Sequence, residues 1–282
     1  MEASSPAKSN ILDTIKLDKA LRLAKQKSKD GQLQEAKNIC EDILQKYSKN
    51  KQALTVLQTL ADKYSSIANA QMKKGDSEVA INSYKQAISI KPDYAEAYYN
   101  LAILLERNGN PDAAIDSYKQ VLKIIPNYAG AYNNIGNTQK GMGDFEAAIN
   151  SYSRAVLIKP NYAEAYYNLG LAQHDKGDLK AAIGSYNDAL KIKPEYAEAY
   201  NNMGNAQKGE GDLDASINSY KRSIKIKPDY ANAYYNMGNA LKDKGELEAA
   251  VVYYKQAVKI TPNYFEAYSN MGVALKDNGL LE

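Results

Sequence analysis

Apolar residues recur along this chain three and four positions apart, in short blocks broken alternately by a glycine and a proline. Spacing of that kind places the apolar side chains on one face of a helix. Residues 163–196, AEAYYNLGLAQHDKGDLKAAIGSYNDALKIKPEY, show the pattern once. Tyr166, Leu169 and Gly170 share a side of a first helix, and Ala182, Tyr186 and Ala189 share a side of a second. The block is 34 residues long, and six consecutive copies fill residues 61–264, with 18 residues of a seventh after them. The copies begin at Ala61, Ala95, Ala129, Ala163, Ala197, Ala231 and Phe265. Glycine returns at position 15 (Gly75, Gly109, Gly143, Gly177, Gly211, Gly245 and Gly279) and proline at position 32 (Pro92, Pro126, Pro160, Pro194, Pro228 and Pro262). Two helices per copy follow, because both residues interrupt helices.

The punctuation has a mechanism. Glycine at position 15 takes the left-handed conformation that closes the first helix. Asp76, Asn110, Asp144, Asp178 or Asp212 comes next, each a good N-cap for the second helix. Pro111 stands one residue later, where its missing N–H costs nothing. Each copy is therefore an antiparallel helical hairpin, and copies must stack because one hairpin cannot bury its apolar face alone. Residues 17–50 look like a decayed copy, with Gly31, Ala36 and Cys40 in register and Ser48 in place of the proline. Leu54, Leu57, Leu60, Ala61, Tyr64, Ile67 and Ala68 keep one apolar face unbroken, which predicts a single long helix over Lys51–Lys74. The first 16 residues are expected to be mobile.

The repeat resembles the tetratricopeptide repeat (TPR). That family places a large aromatic at position 4, Leu at 7, Gly or Ala at 8, Ala at 20, an aromatic at 24, Ala at 27 and Pro at 32. Residues 163–196 match with Tyr166, Leu169, Gly170, Ala182, Tyr186, Ala189 and Pro194. The resemblance implies an all-α fold, a right-handed α-solenoid of stacked antiparallel helical hairpins. It divides the chain into a mobile segment (1–16), a degenerate hairpin with the start of the long helix (17–60), six regular repeats (61–94, 95–128, 129–162, 163–196, 197–230 and 231–264) and a truncated seventh (265–282). Departures from the family pattern are Tyr in place of Trp at position 4, Gln71, Gln139, Gln173 and Gln207 at position 11, and Ser216 and Ser223 in place of alanines.

Composition narrows the chemistry. There are 24 Tyr against 2 Phe and no Trp, and most of the tyrosines fall at packing positions 4, 24 and 34. Tyr99, Tyr167 and Tyr235, at position 5, do not. One Cys excludes an internal disulfide and a Cys-based zinc site, and one His (His174) excludes two-histidine metal sites. His174 reads as one variant of a lysine row, and Cys40 as a buried small hydrophobe. A net charge of +3 does not imply nucleic acid or membrane binding by bulk charge. No apolar run reaches the length of a bilayer span and no secretory signal is visible, so the default compartment is the cytoplasm. No cofactor or metal is expected.

On the first helices, positions 2, 6, 9 and 13 lie opposite the packed side, with 5 and 12 at the edge. In stacked hairpins these first helices line a concave inner wall. Position 6 is Asn100, Asn134, Asn168, Asn202, Asn236 and Asn270 without exception from the second regular copy onward, while positions 2 and 5 vary. Asn is a mediocre helix former, and its carboxamide pairs with a peptide N–H and C=O together. Asn137, Asn205 and Asn239 at position 9 widen the track. The column resembles the asparagine ladder in the TPR superhelix of O-linked N-acetylglucosamine transferase. That resemblance implies peptide binding by the six position-6 asparagines, with Tyr99, Tyr167 and Tyr235 adding stacking contacts. The alternative is that these asparagines serve an interhelix contact or came with repeat duplication.

A carboxylate clamp, which in other TPR domains uses Lys or Arg at positions 2, 5 and 6, is not expected, because Glu96, Glu164, Glu198 and Glu266 would repel the ligand. Position 12 carries Lys140, His174, Lys208, Lys242 and Lys276 beside Asp175, Asp243 and Asp277, a mixed-charge solvated face. Nucleotide, metalloprotease and serine-hydrolase motifs are missing. The leading expectation is a binding scaffold for an extended peptide or protein segment, not an enzyme by itself. Two other readings stay open: the substrate-recognition part of a longer enzyme such as a transferase, and, with less support, a reader of single-stranded RNA. Leu280 and Leu281 start a second helix that stops, which points either to a longer parent chain or to end-to-end self-association.

Overall fold

A computed structural model of the chain describes residues 10–279. Among the described residues there are fifteen α-helices and no strand. They are α1 (Leu17–Lys29), α2 (Leu33–Lys46), α3 (Lys51–Lys74), α4 (Ser77–Ile90), α5 (Ala95–Arg107), α6 (Pro111–Ile124), α7 (Ala129–Gly141), α8 (Phe145–Ile158), α9 (Ala163–Asp175), α10 (Leu179–Ile192), α11 (Ala197–Gly209), α12 (Leu213–Ile226), α13 (Ala231–Asp243), α14 (Leu247–Ile260) and α15 (Phe265–Asp277). Odd-numbered helices are the first of each hairpin, and α15 opens the seventh copy. The architecture is an α-solenoid, and two compact units divide between Pro126 and Asn127.

Helix ends follow from single residues. Gly75, Gly109, Gly143, Gly177, Gly211 and Gly245 have φ between 75° and 89°, a region closed to most side chains. From α4 to α14 each second helix stops at an isoleucine, and the next residue leaves the helical conformation, as at Lys91 (φ −126°, ψ 87°) and Lys227 (φ −130°, ψ 88°). The proline that follows forbids the helical conformation there. Asp76, Asp144, Asp178 and Asp212 accept from the backbone N–H three residues on, at 2.9–3.3 Å. Asn110 departs from that expectation. Its Nδ2 donates back to the Asn108 carbonyl at 3.1 Å, and Pro111 supplies the start of α6 through its fixed φ.

In the first unit, Leu21, Ala36, Cys40, Ile43, Val56 and Leu60 gather in a core that α1, α2 and the 24-residue α3 share. Cys40 is fully buried there, and burial pushes its thiol up to about 12. Of the segment expected to be mobile, residues 1–9 lie outside the described residues, and Asn10, Ile11 and Asp13 make polar contacts with α2. Asn10 Nδ2 donates to the Asp42 carbonyl at 2.9 Å, the Ile11 N–H donates to the Asp42 carboxylate at 3.0 Å, and Asp13 pairs with Lys46. The reason is polar: α2 offers acceptors that the sequence pattern around residue 10 does not announce. Leu280 and Leu281 lie outside the described residues.

In the second unit, Met237, Leu241, Val251, Tyr254 and Ala267 form one core segment and Ala182, Tyr186, Ala199 and Met203 another. Ser216 and Ser223 are fully buried without loss, because Ser216 Oγ donates to the Leu213 carbonyl and Ser223 Oγ to the Ala197 carbonyl, both at 2.8 Å.

Candidate functional site

From the third regular copy to the sixth, the free side of the first helices is positioned by a tyrosine and a glycine in each hairpin. Tyr152, Tyr186, Tyr220 and Tyr254 at position 24 are fully buried. Their rings lie so close to Gly136, Gly170, Gly204 and Gly238 at position 8 that an added Cβ would stand 2.6–2.7 Å away. The ring thus uses the room a missing side chain leaves, and its hydroxyl is carried to the free side of the first helix. There Tyr152 donates to Asn137 Oδ1 at 2.7 Å, Tyr220 to Asn205 at 2.8 Å and Tyr254 to Asn239 at 2.8 Å. Tyr84 does the same with Asn69 at 2.5 Å. The position-9 asparagines therefore spend an acceptor on their own hairpin. In the fourth regular copy Leu171 stands at position 9, and among the described residues the buried Tyr186 hydroxyl has no partner. Burial drives the pKa of that phenol strongly upward.

The position-6 asparagines make rungs between successive copies. Asn168 Nδ2 donates to Asn133 Oδ1 at 3.1 Å and to Asn137 Oδ1 at 3.2 Å. Asn202 Nδ2 donates to the Tyr167 hydroxyl at 2.9 Å, and Asn236 Nδ2 to Asn201 Oδ1 at 3.0 Å. Asn270 Nδ2 reaches both the Tyr235 hydroxyl, at 3.1 Å, and Asn239 Oδ1, at 2.9 Å. Asn134 and Asn202 accept in turn from their neighbours Asn133, at 3.4 Å, and Asn201, at 3.2 Å. In the first unit Asn100 sits beside the Tyr84 hydroxyl. All six are half-buried. The Nδ2 groups of Asn168, Asn202, Asn236 and Asn270 hold the preceding copy, and the Oδ1 atoms of Asn168, Asn236 and Asn270 keep no partner among the described residues.

Tyr99, Tyr167 and Tyr235 are anchored as well. Each meets the position-24 ring of its own hairpin, at 5.6 Å to Tyr118, 6.0 Å to Tyr186 and 6.1 Å to Tyr254 between centroids. Tyr167 and Tyr235 also lie 4.8 Å and 4.9 Å from Tyr196 and Tyr264. Their ring faces are thus partly occupied, and the hydroxyls of Tyr167 and Tyr235 act as acceptors for the next rung. Where position 5 is Asn instead (Asn133 and Asn201), the carboxamide oxygen does the same job, so alternate copies solve one contact with two side chains.

Family models for the TPR repeat match residues 68–109, 141–177, 173–211, 209–245 and 238–279, and a model for the tetratricopeptide repeat matches 95–128. The chain belongs to the tetratricopeptide repeat family. A search of curated proteins by sequence found no match. Among solved structures the chain is similar to the MamA protein, at 30% identity and a TM-score of 0.56 over 61% of this chain and 93% of that one. It is also similar to YrrB, described as a TPR protein with an unusual peptide-binding site, at 24% identity and a TM-score of 0.57 over 66% of this chain and 96% of that one. PilF of Pseudomonas aeruginosa shares the fold at 19% identity, with a TM-score of 0.61 over 74% of this chain and 95% of that one.

The rest of this TPR face is charged and largely self-paired. Lys140 reaches Asp175 at 3.8 Å and Lys208 reaches Asp243 at 3.0 Å, each a position-12 lysine on the position-13 acid of the next copy. Glu198 pairs with Lys227 at 3.3 Å; burial works to raise its carboxyl, but a backbone hydrogen bond and Lys227 outweigh it and leave the pKa lowered. Among the described residues no three His, Cys, Asp or Glu side chains come together to hold a metal ion, and no helix is long and apolar enough to cross a membrane.

One arrangement on the other side of the hairpin escaped the sequence reading. Gln139, Gln173 and Gln207, which depart from the family pattern, each accept from Ser151, Ser185 or Ser219 at 2.6 Å. The signal was present, since serine stands at position 23 in every copy that has glutamine at position 11. Where position 11 is Leu241, position 23 is Tyr253, whose ring packs 6.2 Å from Tyr234.

Proposed function

We propose that this TPR protein is an interaction scaffold that binds an extended polypeptide along the free side of its first helices. The observation that carries the reading is the use of only one end of the carboxamide in Asn168, Asn236 and Asn270. Nδ2 is fixed to the preceding copy, which orients each Oδ1 outward as an acceptor for a peptide N–H. A row of acceptors already held in place loses little entropy when a chain docks. Backbone recognition of this kind selects for an extended conformation and not for particular side chains. The YrrB likeness supports a peptide as the ligand class. Recognition of protein substrates for a catalytic domain elsewhere in a longer chain is the same surface used in another setting.

The test is a peptide array read with wild type, with Asn168→Ala/Asn236→Ala/Asn270→Ala, and with a core variant, Gly170→Ala. Peptide capture lost in the triple variant and kept in the core variant is the expected result. Equal capture by all three proteins would confine the asparagines to holding the copies together.

A further inference from the structure

Away from the asparagine rungs, the hairpin of α11 and α12 carries a hollow of about 650 Å³. Its floor is the Tyr200 ring with the Gln207–Ser219 hydrogen bond, and its wall is Lys221, Arg222 and Lys225 on α12. A second hollow of about 330 Å³ adjoins it and shares Tyr200, Arg222 and Lys225, with Pro194 and Glu195 at its far side. Lys221 and Lys225 are four residues apart and Arg222 and Lys225 three, so the three cations share one face of α12. None of the three has an ion-pair partner among the described residues.

Two other copies balance a lysine at these positions with an acid. At the matching positions of α10, Asp188 pairs with Lys191 at 2.7 Å. At the matching positions of α6, Asp116 meets Lys119 at 3.6 Å. In α12 both acids are gone: Asn218 replaces the one that would face Lys221, and Arg222 replaces the one that would face Lys225. Like charges at such spacing oppose the helix that carries them. An exposed concavity with an aromatic floor, hydrogen-bonding side chains and three unbalanced cations is complementary to a short anionic segment.

We infer that the α11–α12 hairpin docks an acidic protein segment, whose carboxylates meet Lys221, Arg222 and Lys225 while an adjacent side chain packs on Tyr200. The cations that line the two hollows are Lys221, Arg222 and Lys225, and Glu195 closes one end. That extent suits a few clustered carboxylates and not a continuous polyphosphate or an anionic membrane, each of which needs a longer basic track. This surface is independent of the peptide face proposed above.

Fluorescence anisotropy of the full chain tests the inference, with a labelled peptide of alternating Glu and Ser as probe. Lys221→Gln/Arg222→Gln/Lys225→Gln should weaken its binding by about tenfold, and added salt should weaken the wild type similarly. The triple variant Lys123→Gln/Lys255→Gln/Lys259→Gln, with the same loss of charge elsewhere, should stay within about twofold of wild type. Asn168→Ala should leave this probe unaffected, which separates the result from that of the peptide face. Failure of the probe to bind, equal loss in both charge variants, or tighter groove-dependent binding to a single-stranded oligonucleotide or phosphatidylserine vesicles would each overturn the inference.

Discussion

Asn202 donates its Nδ2 to the hydroxyl of Tyr167, one whole copy earlier in the chain, at 2.9 Å. One side chain expected to contact ligand is thus the anchor of another, and the pair fastens α9 to α11 on the free face of the first helices. Tyr167→Phe removes only the acceptor. It should lower stability by about 1 kcal/mol, the usual net worth of a hydrogen bond, with the ring contacts to Tyr186 and Tyr196 kept. Hydrogen exchange should quicken in α9 and α11 before it does so in α13. Unchanged exchange there would show that the rung carries no load between copies.

The unpartnered Tyr186 hydroxyl sets up a contrast between two identical substitutions. Tyr186→Phe deletes a buried polar atom that has no partner and should be neutral or stabilising by up to about 1 kcal/mol. Tyr220→Phe deletes a hydroxyl that donates to Asn205 and should destabilise by about 1 kcal/mol. Denaturant midpoints of the two variants, moving in the same direction by the same amount, would contradict the assignment.

Gly170→Ala brings two effects into opposition. Alanine favours the interior of a helix over glycine by roughly 0.5–1 kcal/mol. Its Cβ would stand 2.6 Å from the buried Tyr186 ring, and overpacking a filled core typically costs about 1–3 kcal/mol. A net loss of stability is expected on thermal melting. Gly272→Ala supplies the control, since nothing lies within 4 Å of its added Cβ and only the helix gain applies.

Alkaline pH should weaken the fold before its carboxylates or lysine contacts are considered. Burial, followed by nearby Glu164 and Glu198, pushes Tyr196 up to about 12; burial, followed by Tyr235 and Glu266, does the same for Tyr264. A phenol whose pKa is raised on folding binds its proton more tightly in the native state. Its contribution is complete below the ordinary value of 10.0 and is lost as pH climbs from there through about 12. Denaturant midpoints should fall between about pH 10 and pH 12, more steeply than in Tyr196→Phe, and tyrosinate absorbance should rise late. A wild type and variant with parallel pH profiles would remove Tyr196 from the account.

The part of this protein that was legible in sequence is the part set by neighbours in the chain. Gly177 ends α9, Asp178 caps α10 and Pro194 stops it, all through local backbone geometry. Even there Asn110 shows the limit, because its carboxamide had two backbone partners within reach and turned to Asn108. The pairing of Gln207 with Ser219 was legible in principle, as both belong to one hairpin and every copy with the glutamine has the serine.

The repeat period alone determined that this chain is a stack of helical hairpins, since each copy exposes an apolar face that only another copy covers. The column of asparagines was likewise plain in the sequence. What each asparagine does was decided by tertiary structure. Stacking sets position 6 of one copy against positions 5 and 9 of the copy before, at separations of 35 and 31 residues. No periodicity within one helix reports which end of a carboxamide that neighbour will take, because the answer depends on the offset between helices, and that is fixed by how the tyrosine rings seat on the glycines beneath them.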